Sequence, residues 1–205
     1  REVLSASRSV EAPIRIAYFG PEATFTHMAA REKFGSSATL ISLPSIADVF
    51  QEVSQQRADY GVVPIENSTE GVVTHTLDML VEAEVRICAE IFLEIHLNVL
   101  SRSGRFEEIR RIVSHAQALA QCRRWLASHC PRLKVEEAAS TAQAAQTALQ
   151  DGTAAAIASG MAKDYYGLEV VAANVEDHAN NTTRFLVIGD HEPRPSGDDK
   201  TSIVF

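Results

Sequence analysis

The chain has 205 residues, of which 45% are hydrophobic and 22% are charged, and its formal net charge at pH 7 is −8. This length suits one large domain or two small lobes with a buried core, and the composition is that of a globular chain. The negative charge argues against nucleic acid or an acidic membrane surface as a main partner. An anionic substrate would therefore have to be attracted by local groups.

Targeting and cysteine signals are few in this sequence. No apolar run is long enough to span a bilayer, and the N-terminal residues lack the hydrophobic stretch of a signal peptide. Cys88, Cys122 and Cys130 form no CxxC pair and no zinc-type cluster with histidine, and a Cys122–Cys130 disulfide is the disfavoured alternative. These features predict a cytoplasmic protein without a metal or another cofactor.

The predicted elements of the first half alternate between apolar strand-like runs and helical patterns. The predicted strands are 14–19, 39–43 and 60–65. The predicted helices are 24–35, 46–56 and 72–81. Ser45 is expected to cap the second of these helices, and residues 85–100 form one long extended stretch.

The second half repeats the same alternation. The predicted strands are 109–113, 134–138, 153–158, 169–173 and 185–189. The predicted helices are 117–129, 142–150 and 161–166. A polar loop is expected at 174–183, a linker at 190–200 and a last strand at 201–205.

Strands that alternate with helices predict an α/β fold with largely parallel sheets. Because the extended stretch 85–100 lies between two such blocks, we expect two lobes with a cleft between them. The first lobe is predicted to contain 14–95 plus 184–192, and the second 96–183. Residues 1–13 and 193–205 then form a tail and a linker.

Small polar residues follow several of the predicted strands and open the next helix. They include Thr24, Glu66-Asn67-Ser68, Ser114-His115, Ser140-Thr141 and Ser159-Gly160. Helix N-termini present free N–H groups and partial positive charge, so several at one sheet edge would bind a small anion. Any one of them can equally be an ordinary helix cap.

Six short motifs resemble the prephenate dehydratase family when taken in order. They are IAYFGPEATFT at 16–26, VPIENSTEGVV at 63–73, SHAQALAQC at 114–122, STAQAA at 140–145 with AAIAS at 155–159, and NTTRF at 181–185. The last is similar to the family's Asn-x-Thr-Arg-Phe signature. Each motif is short, but their ordered set from about residue 14 to 189 is highly specific.

The resemblance also implies an architecture and a context. Residues 1–11 look like the joint after a chorismate mutase domain, and 201–205 look like the first strand of a regulatory ACT domain. It implies an excised dehydratase domain whose two-lobed fold is similar to type II periplasmic binding proteins. Ala23 stands where the family usually has Gly, and Ala116 where it usually has Pro.

The activity that the resemblance implies is the conversion of prephenate to phenylpyruvate in phenylalanine biosynthesis, by a homodimer or larger assembly. Arogenate dehydratase is the nearest alternative. A non-catalytic anion-binding module of the same fold and a regulatory amino-acid sensor are alternatives of other classes, since fold alone does not fix function.

The resemblance makes Thr183 the central catalytic residue, hydrogen-bonded to the leaving hydroxyl directly or through water. Arg184 is the expected carboxylate clamp because guanidinium pairs with carboxylate at two points; a structural salt bridge is its alternative. Phe185 is expected to shape the substrate site by packing. Glu66 is the alternative general acid, because burial after the apolar run 62–65 would raise its pKa. A carboxylate that is hydrogen-bonded to nearby backbone N–H groups is the other interpretation of Glu66.

The remaining expected substrate contacts are polar side chains of the family motifs. They are Asn67, Ser68, Thr24, Ser114, Gln117 and Asn181. Asn67 and Ser68 are interpreted as hydrogen bonders to substrate or loop, and Asn181 as a loop-former that also contacts the ligand. The histidines lack partners at metal spacing, and His115 is the one that lies inside a family motif.

Overall fold

The computed structural model describes residues 13–190, 197 and 199–201. The chain divides into two compact α/β units. The first contains the described residues among 13–20, 29–93 and 182–201, and the second contains 21–28 and 94–181. The tail at 1–12, most of the linker at 190–200 and the strand expected at 201–205 lie outside the described residues. No helix among the described residues is long and apolar enough to cross a membrane.

The first unit is built on a mixed sheet with the strand order β2-β1-β3-β11-β5, and β4 pairs with β3 beside this path. The strands are β1 (Arg15–Phe19), β2 (Thr39–Leu43), β3 (Tyr60–Asn67), β4 (Gly71–Val72), β5 (Arg86–Glu94) and β11 (Thr182–Gly189). β1 is parallel to β2 and β3, whereas β11 and β4 are antiparallel to β3. The predicted α/β class with parallel strands is therefore confirmed, with antiparallel pairs added.

Helices α1 (Phe25–Phe34), α2 (Ile46–Ser54) and α3 (Thr74–Glu82) accompany this sheet in sequence, and the boundary between the units falls within α1. The predicted cap of α2 is confirmed, because Ser45 Oγ accepts a hydrogen bond from the Asp48 N–H at 3.1 Å. The buried face of α2 packs in one core with the apolar side chains of β1, β3 and β11. That core fixes β3 and β11 at the centre of the sheet.

A β-bulge interrupts the pairing of β3 with β11. Pro64 lies opposite Phe185 and Glu66 lies opposite Arg184, so Ile65 is an extra residue on β3. Proline has no N–H for a ladder, and in a central strand it is tolerated at such irregularities. Beyond the bulge, β3 continues to Asn67, and its pairing with β11 is shifted by one residue relative to the pairing before the bulge.

The second unit contains a second mixed sheet, with the order β10-β6-β9-β7-β8. Its strands are β6 (Asn98–Ser101), β7 (Arg111–Ser114), β8 (Lys134–Glu137), β9 (Ala154–Ala158) and β10 (Glu169–Ala172). β7 is parallel to β8 and β9, while β6 is antiparallel to β9 and β10. The extended stretch 85–100 is thus two strands, one in each sheet. An alanine-rich core packs against this sheet.

The helix predicted at 117–129 is broken in two, and its prediction as one helix is wrong. A single-turn 3-10 helix (Phe106–Glu108) precedes β7, and the helices that follow are α4 (Ala116–Gln121), α5 (Arg123–His129), α6 (Thr141–Gln150) and α7 (Gly160–Tyr166). The carboxylate of Asp177 accepts hydrogen bonds from the N–H groups of Arg124 and Trp125, at 2.8 and 3.1 Å. Asp177 therefore caps α5 from a distant loop and starts a new helix there.

Ala23 keeps a left-handed backbone although it is not glycine. Its φ is 64°, its N–H donates to His27 Nδ1 at 2.9 Å, and its carbonyl accepts from Ser159 Oγ at 3.1 Å. Both polar groups of the strained residue are thus held within the second unit. Ala23 thus adopts the left-handed conformation that glycine adopts without a steric penalty.

Candidate active site

Thr183 and Asn67 form a direct cross-strand pair at the end of the β3–β11 ladder. The two residues are register partners, and Asn67 Nδ2 donates to Thr183 Oγ1 at 2.7 Å. Both side chains are half-buried. The bulge at Ile65 produces this pairing, because straight continuation from Pro64 would place Glu66 opposite Thr183.

The orientation of the Asn67 amide is fixed by the turn that follows β3. Its Oδ1 accepts the N–H groups of Thr69 and Glu70, at 2.9 and 3.2 Å. Only the carbonyl oxygen of an amide can accept two N–H groups, so Nδ2 must face Thr183. This local turn is of the kind that Asn side chains make with the backbone two residues on.

The direction of this bond decides what the Thr183 hydroxyl can do. A hydroxyl has one donor and two acceptor sites, and here the amide occupies an acceptor site. Among the described residues, the Thr183 hydroxyl has no other side-chain hydrogen bond, so its proton remains available to a ligand. The pair therefore presents an O–H donor whose oxygen is held in place.

Arg184 lies on the other face of the same strand. Successive side chains of a strand point to opposite faces, so the Thr183–Asn67 pair and the Arg184–Glu66 pair are on different sides of the sheet. Arg184 Nη2 contacts Glu90 of β5, and Nη1 lies 3.7 Å from Glu66 Oε2. The guanidinium thus bridges carboxylates of the two strands that flank β11.

Glu90 is the principal partner of Arg184, and Lys200 Nζ reaches its other oxygen at 2.9 Å. Burial raises the pKa of the Glu90 carboxyl, but hydrogen bonds from Lys200 and Arg184 outweigh it and leave this pKa below its usual value. These contacts favour the structural salt bridge for Arg184. Its Nε is buried without a hydrogen-bond partner among the described residues, which keeps the clamp open as a proposal.

Glu66 does not have the environment that the sequence predicted for it. Its side chain is 48% exposed and lies beside Arg184 rather than beside Thr183. The expectation of burial is wrong because the bulge turns Glu66 away from the apolar run that precedes it. The physical argument for Glu66 as a general acid is lost with it.

Phe185 and Ser114 are core residues in this structure. Phe185 is 1% exposed, and Ser114, at 0%, donates from Oγ to the Ile157 carbonyl of β9 at 2.6 Å. Phe185 begins a run of β11 that is buried at every position, so it supports the strand by packing. The burial of Ser114 favours a structural role for its hydroxyl, and its contact with substrate stays a prediction.

Ser68 extends the ladder that carries Thr183. Its N–H donates to the Thr182 carbonyl at 2.9 Å, and its Oγ accepts from the Thr182 N–H at 3.0 Å. These bonds begin β11 two residues earlier than the loop predicted at 174–183 allows. Ser68 therefore orders the start of β11, which is the second of the two roles expected for it.

The expected contacts of the second unit lie at helix ends and in a loop. Thr24 Oγ1 donates to the Pro21 carbonyl at 2.8 Å at the start of α1, and Gln117 is exposed in the first turn of α4. Asn181 is 3% exposed, and its amide donates to Gln121 Oε1 at 2.9 Å. These contacts support a structural role for Asn181 as a loop-former. Thr24 and Gln117 stay predictions.

Sequence reasoning passed over Thr76, Glu90 and Asp177. Thr76 donates to the Pro64 carbonyl beside the bulge, Glu90 pairs with Arg184, and Asp177 caps α5. Glu90 lies in an extended stretch where nothing local distinguishes it, and Asp177 acts on a helix 52 residues away. Thr76 offered a weak signal, as a hydroxyl residue on the expected buried face of a helix.

Comparison with known families agrees with the motifs. A family model described as prephenate dehydratase matches residues 16–193. The bifunctional chorismate mutase/prephenate dehydratase of Aquifex aeolicus is 50% identical over all of this chain, which spans 57% of that relative's length. Other bifunctional relatives are spanned to a similar extent.

Solved structures give two further likenesses. A prephenate dehydratase from Arthrobacter aurescens, determined in complex with L-Phe, superimposes with a TM-score of 0.82 and 33% identity, covering 90% of this chain and 63% of that one. A structure described as a novel type of quorum-quenching acylase superimposes with a TM-score of 0.77 and 29% identity, covering 89% of this chain and 65% of that one.

Proposed function

Because the chain belongs to the prephenate dehydratase family, we propose that it converts prephenate to phenylpyruvate, water and CO₂. In this reaction the bond to the ring carboxylate breaks, its electron pair enters the ring, and the ring hydroxyl leaves at the opposite carbon. The ring becomes aromatic, which supplies the driving force. The protein must position the dianion and stabilise the departing oxygen.

The observation that supports this proposal most strongly is the Asn67–Thr183 hydrogen bond of 2.7 Å. With its acceptor site filled by the amide, the Thr183 hydroxyl donates to the leaving oxygen of the substrate. A threonine hydroxyl is a weak acid, so its contribution is a directed hydrogen bond to developing negative charge, and the proton that completes water comes from solvent. Such a donor acts most strongly in the transition state.

The other motif residues are proposed to act either by positioning Thr183 and β11 or by contacting the substrate. Asn67 acts by orienting Thr183, and Ser68 acts by ordering the start of β11. Thr24 and Gln117 are also proposed contacts, because each has polar atoms at a helix start. Arg184 is a clamp for the substrate carboxylate only if an anion displaces Glu90 or Glu66 from the guanidinium.

Arogenate is the alternative substrate, and it shares the ring hydroxyl and ring carboxylate of prephenate. The contacts at Thr183 address only these shared groups, so they serve either substrate. The acylase likeness is less well supported. An acyl transfer with Thr183 as the nucleophile would need a base beside its Oγ1, and the partner there is an amide that donates and cannot take a proton.

We also propose a cytoplasmic setting in phenylalanine biosynthesis and a homodimeric or larger assembly. Both rest on family resemblance. Sedimentation of the purified chain tests the assembly, because a monomer at assay concentration would contradict it.

The test of the proposed function is a paired assay with prephenate and arogenate. Phenylpyruvate or phenylalanine formation is followed for the unmutated chain and for Thr183→Ala, with folding of both compared by circular dichroism. We expect turnover of one substrate that falls about 100-fold or more in the variant, the usual size for loss of a directed donor. Binding without turnover of either substrate would support a binding module instead.

A further inference from the structure

A second threonine, Thr76, controls which side chain faces Thr183. It is 0% exposed, it lies in the first turn of α3, and its Oγ1 donates to the Pro64 carbonyl at 2.6 Å. Pro64 is the last residue of β3 before the bulge. The hydroxyl therefore holds β3 at the point where its register with β11 changes.

The carbonyls at the bulge show how the irregularity is maintained. In a regular strand, successive carbonyls point to opposite neighbours. Here the carbonyl of Pro64 accepts from Thr76, and that of Ile65 accepts from the N–H of Val73 at 2.8 Å. The Val73 bond continues the β3–β4 pairing, and the Thr76 hydroxyl takes the carbonyl of the preceding residue. The segment that leads into α3 thus takes two successive carbonyls, which favours the exclusion of Ile65 from the ladder with β11. Buried carbonyls left without these donors would favour return to the ladder.

Loss of the bulge would exchange the partner of Thr183. With Pro64 opposite Phe185, a straight ladder places Ile65 opposite Arg184 and Glu66 opposite Thr183. A carboxylate is an acceptor only, so it would take the Thr183 proton that the Asn67 amide leaves available. A one-residue shift in the register of β3 would thus direct the Thr183 proton to Glu66 instead of the substrate.

We propose that Thr76 is a positioning residue for the dehydration, which acts by holding the β3 bulge so that Asn67 and not Glu66 faces Thr183. This inference rests on the proposed dehydratase activity. It goes beyond that activity by assigning a role to a residue outside the family motifs that the sequence displays. Thr76 touches neither substrate nor the reacting atoms.

The test compares Thr76→Val with Thr76→Ser at a temperature where both are folded. Valine keeps the shape and removes the donor, whereas serine keeps the donor and removes a methyl group. We expect kcat to fall about tenfold or more in the valine variant, with KM within about twofold, because the pair acts on the leaving group. The serine variant should keep most of kcat.

Two further variants separate positioning from loss of stability. Val53→Ala empties part of the same core on α2, so it should lower the melting temperature and leave kcat unchanged. In the Thr76→Val background, Glu66→Gln should recover kcat several-fold, because the shifted register then returns an amide to Thr183. If Thr76→Val does not fold, Thr76→Cys, whose thiol is a weak donor, replaces it and should give an intermediate kcat.

The outcomes separate this inference from the proposed function. No turnover of prephenate or arogenate by the unmutated chain would defeat the function itself. Turnover by the unmutated chain with an unchanged kcat in Thr76→Val would overturn the role of Thr76 alone. So would a loss that Thr76→Ser does not rescue, or one that Val53→Ala reproduces.

Discussion

Thr183 and Ser114 are hydroxyl residues near strand ends, one in each unit, and the family motifs marked both as site residues. Their hydrogen bonds are similar in length, 2.7 and 2.6 Å, but opposite in direction. Ser114 donates its proton to a strand carbonyl inside the core, whereas Thr183 accepts a hydrogen bond from Asn67 and keeps its own proton available. The comparison shows that a hydroxyl becomes a candidate catalytic donor when its neighbours donate hydrogen bonds to its oxygen and leave its own proton available.

Among the variants that leave Thr183 in place, the largest effect is expected from reversing the direction of its hydrogen bond with residue 67. Asn67→Asp keeps the acceptor for Thr69 and Glu70 but presents a second acceptor to Thr183. The hydroxyl would then donate to the introduced carboxylate instead of the substrate, so we expect kcat to fall about 100-fold. Steady-state kinetics with prephenate measures this.

The matched control for that variant is Thr69→Asp, which adds a carboxylate at an exposed position of the same turn. It should raise KM for a dianion without a large change in kcat. Equal kcat in Asn67→Asp and the unmutated chain would contradict a role for the direction of the Thr183 hydrogen bond.

The opposite face of β11 should respond in stability rather than chemistry. Arg184→Lys keeps the charge but cannot span Glu90 and Glu66 as a planar fork does. We expect a loss of about 2 kcal/mol in the free energy of unfolding, the scale of a hydrogen bond to a charged group. Urea denaturation measures the loss. A KM increase above about tenfold at unchanged stability would instead establish Arg184 as the carboxylate clamp.

Ser114→Ala tests the structural role of the buried hydroxyl in the second unit. It leaves the Ile157 carbonyl without its buried hydroxyl donor, so stability should fall by about 1 kcal/mol. Because Ser114 is fully buried, kcat and KM per folded molecule should stay within about twofold, as for other core hydrogen bonds that touch no ligand. A specific loss of kcat without a shift in the urea midpoint would return Ser114 to the active site.

The smallest effect is expected at Ala23, whose carbonyl accepts from Ser159 much as that of Ile157 accepts from Ser114. Ala23→Gly relieves a left-handed backbone worth about 1 kcal/mol but removes a buried methyl group worth about 0.8 kcal/mol. The two terms nearly cancel, so the melting temperature should change by only a few degrees. A stability change above about 2 kcal/mol in a thermal scan would mean that the turn has rearranged.

The sequence predicted those elements whose signals are local. Ser45 starts α2 because a serine before an apolar periodic run is a sufficient cap, and most strands lie in extended runs that the sequence displays. The two-residue strand β4 was not predicted, because Val72 fell within the helix expected at 72–81. The family signature indicated Thr183 as the central candidate, and its catalytic role stays a prediction. These predictions need no knowledge of what lies far away in the chain.

Features imposed by distant residues could not be predicted in this way. Asp177 divides the helix expected at 117–129, and Ser68 turns the end of the loop expected at 174–183 into strand. The bulge at Ile65, beside which Thr76 and Val73 donate hydrogen bonds to β3, places Asn67 rather than Glu66 opposite Thr183. Apolar periodicity indicates which face of an element is buried, but it does not indicate which distant residue donates a hydrogen bond to a given carbonyl.

The proposed mechanism requires that the Thr183 hydroxyl donates to the leaving group. Steady-state measurement of kcat with prephenate for Thr183→Val and Thr183→Ser, both shown to be folded by urea denaturation, tests this. We expect a loss of about 100-fold or more for valine and less than about tenfold for serine, which keeps the donor. A valine variant that keeps the kcat of the unmutated chain would contradict it.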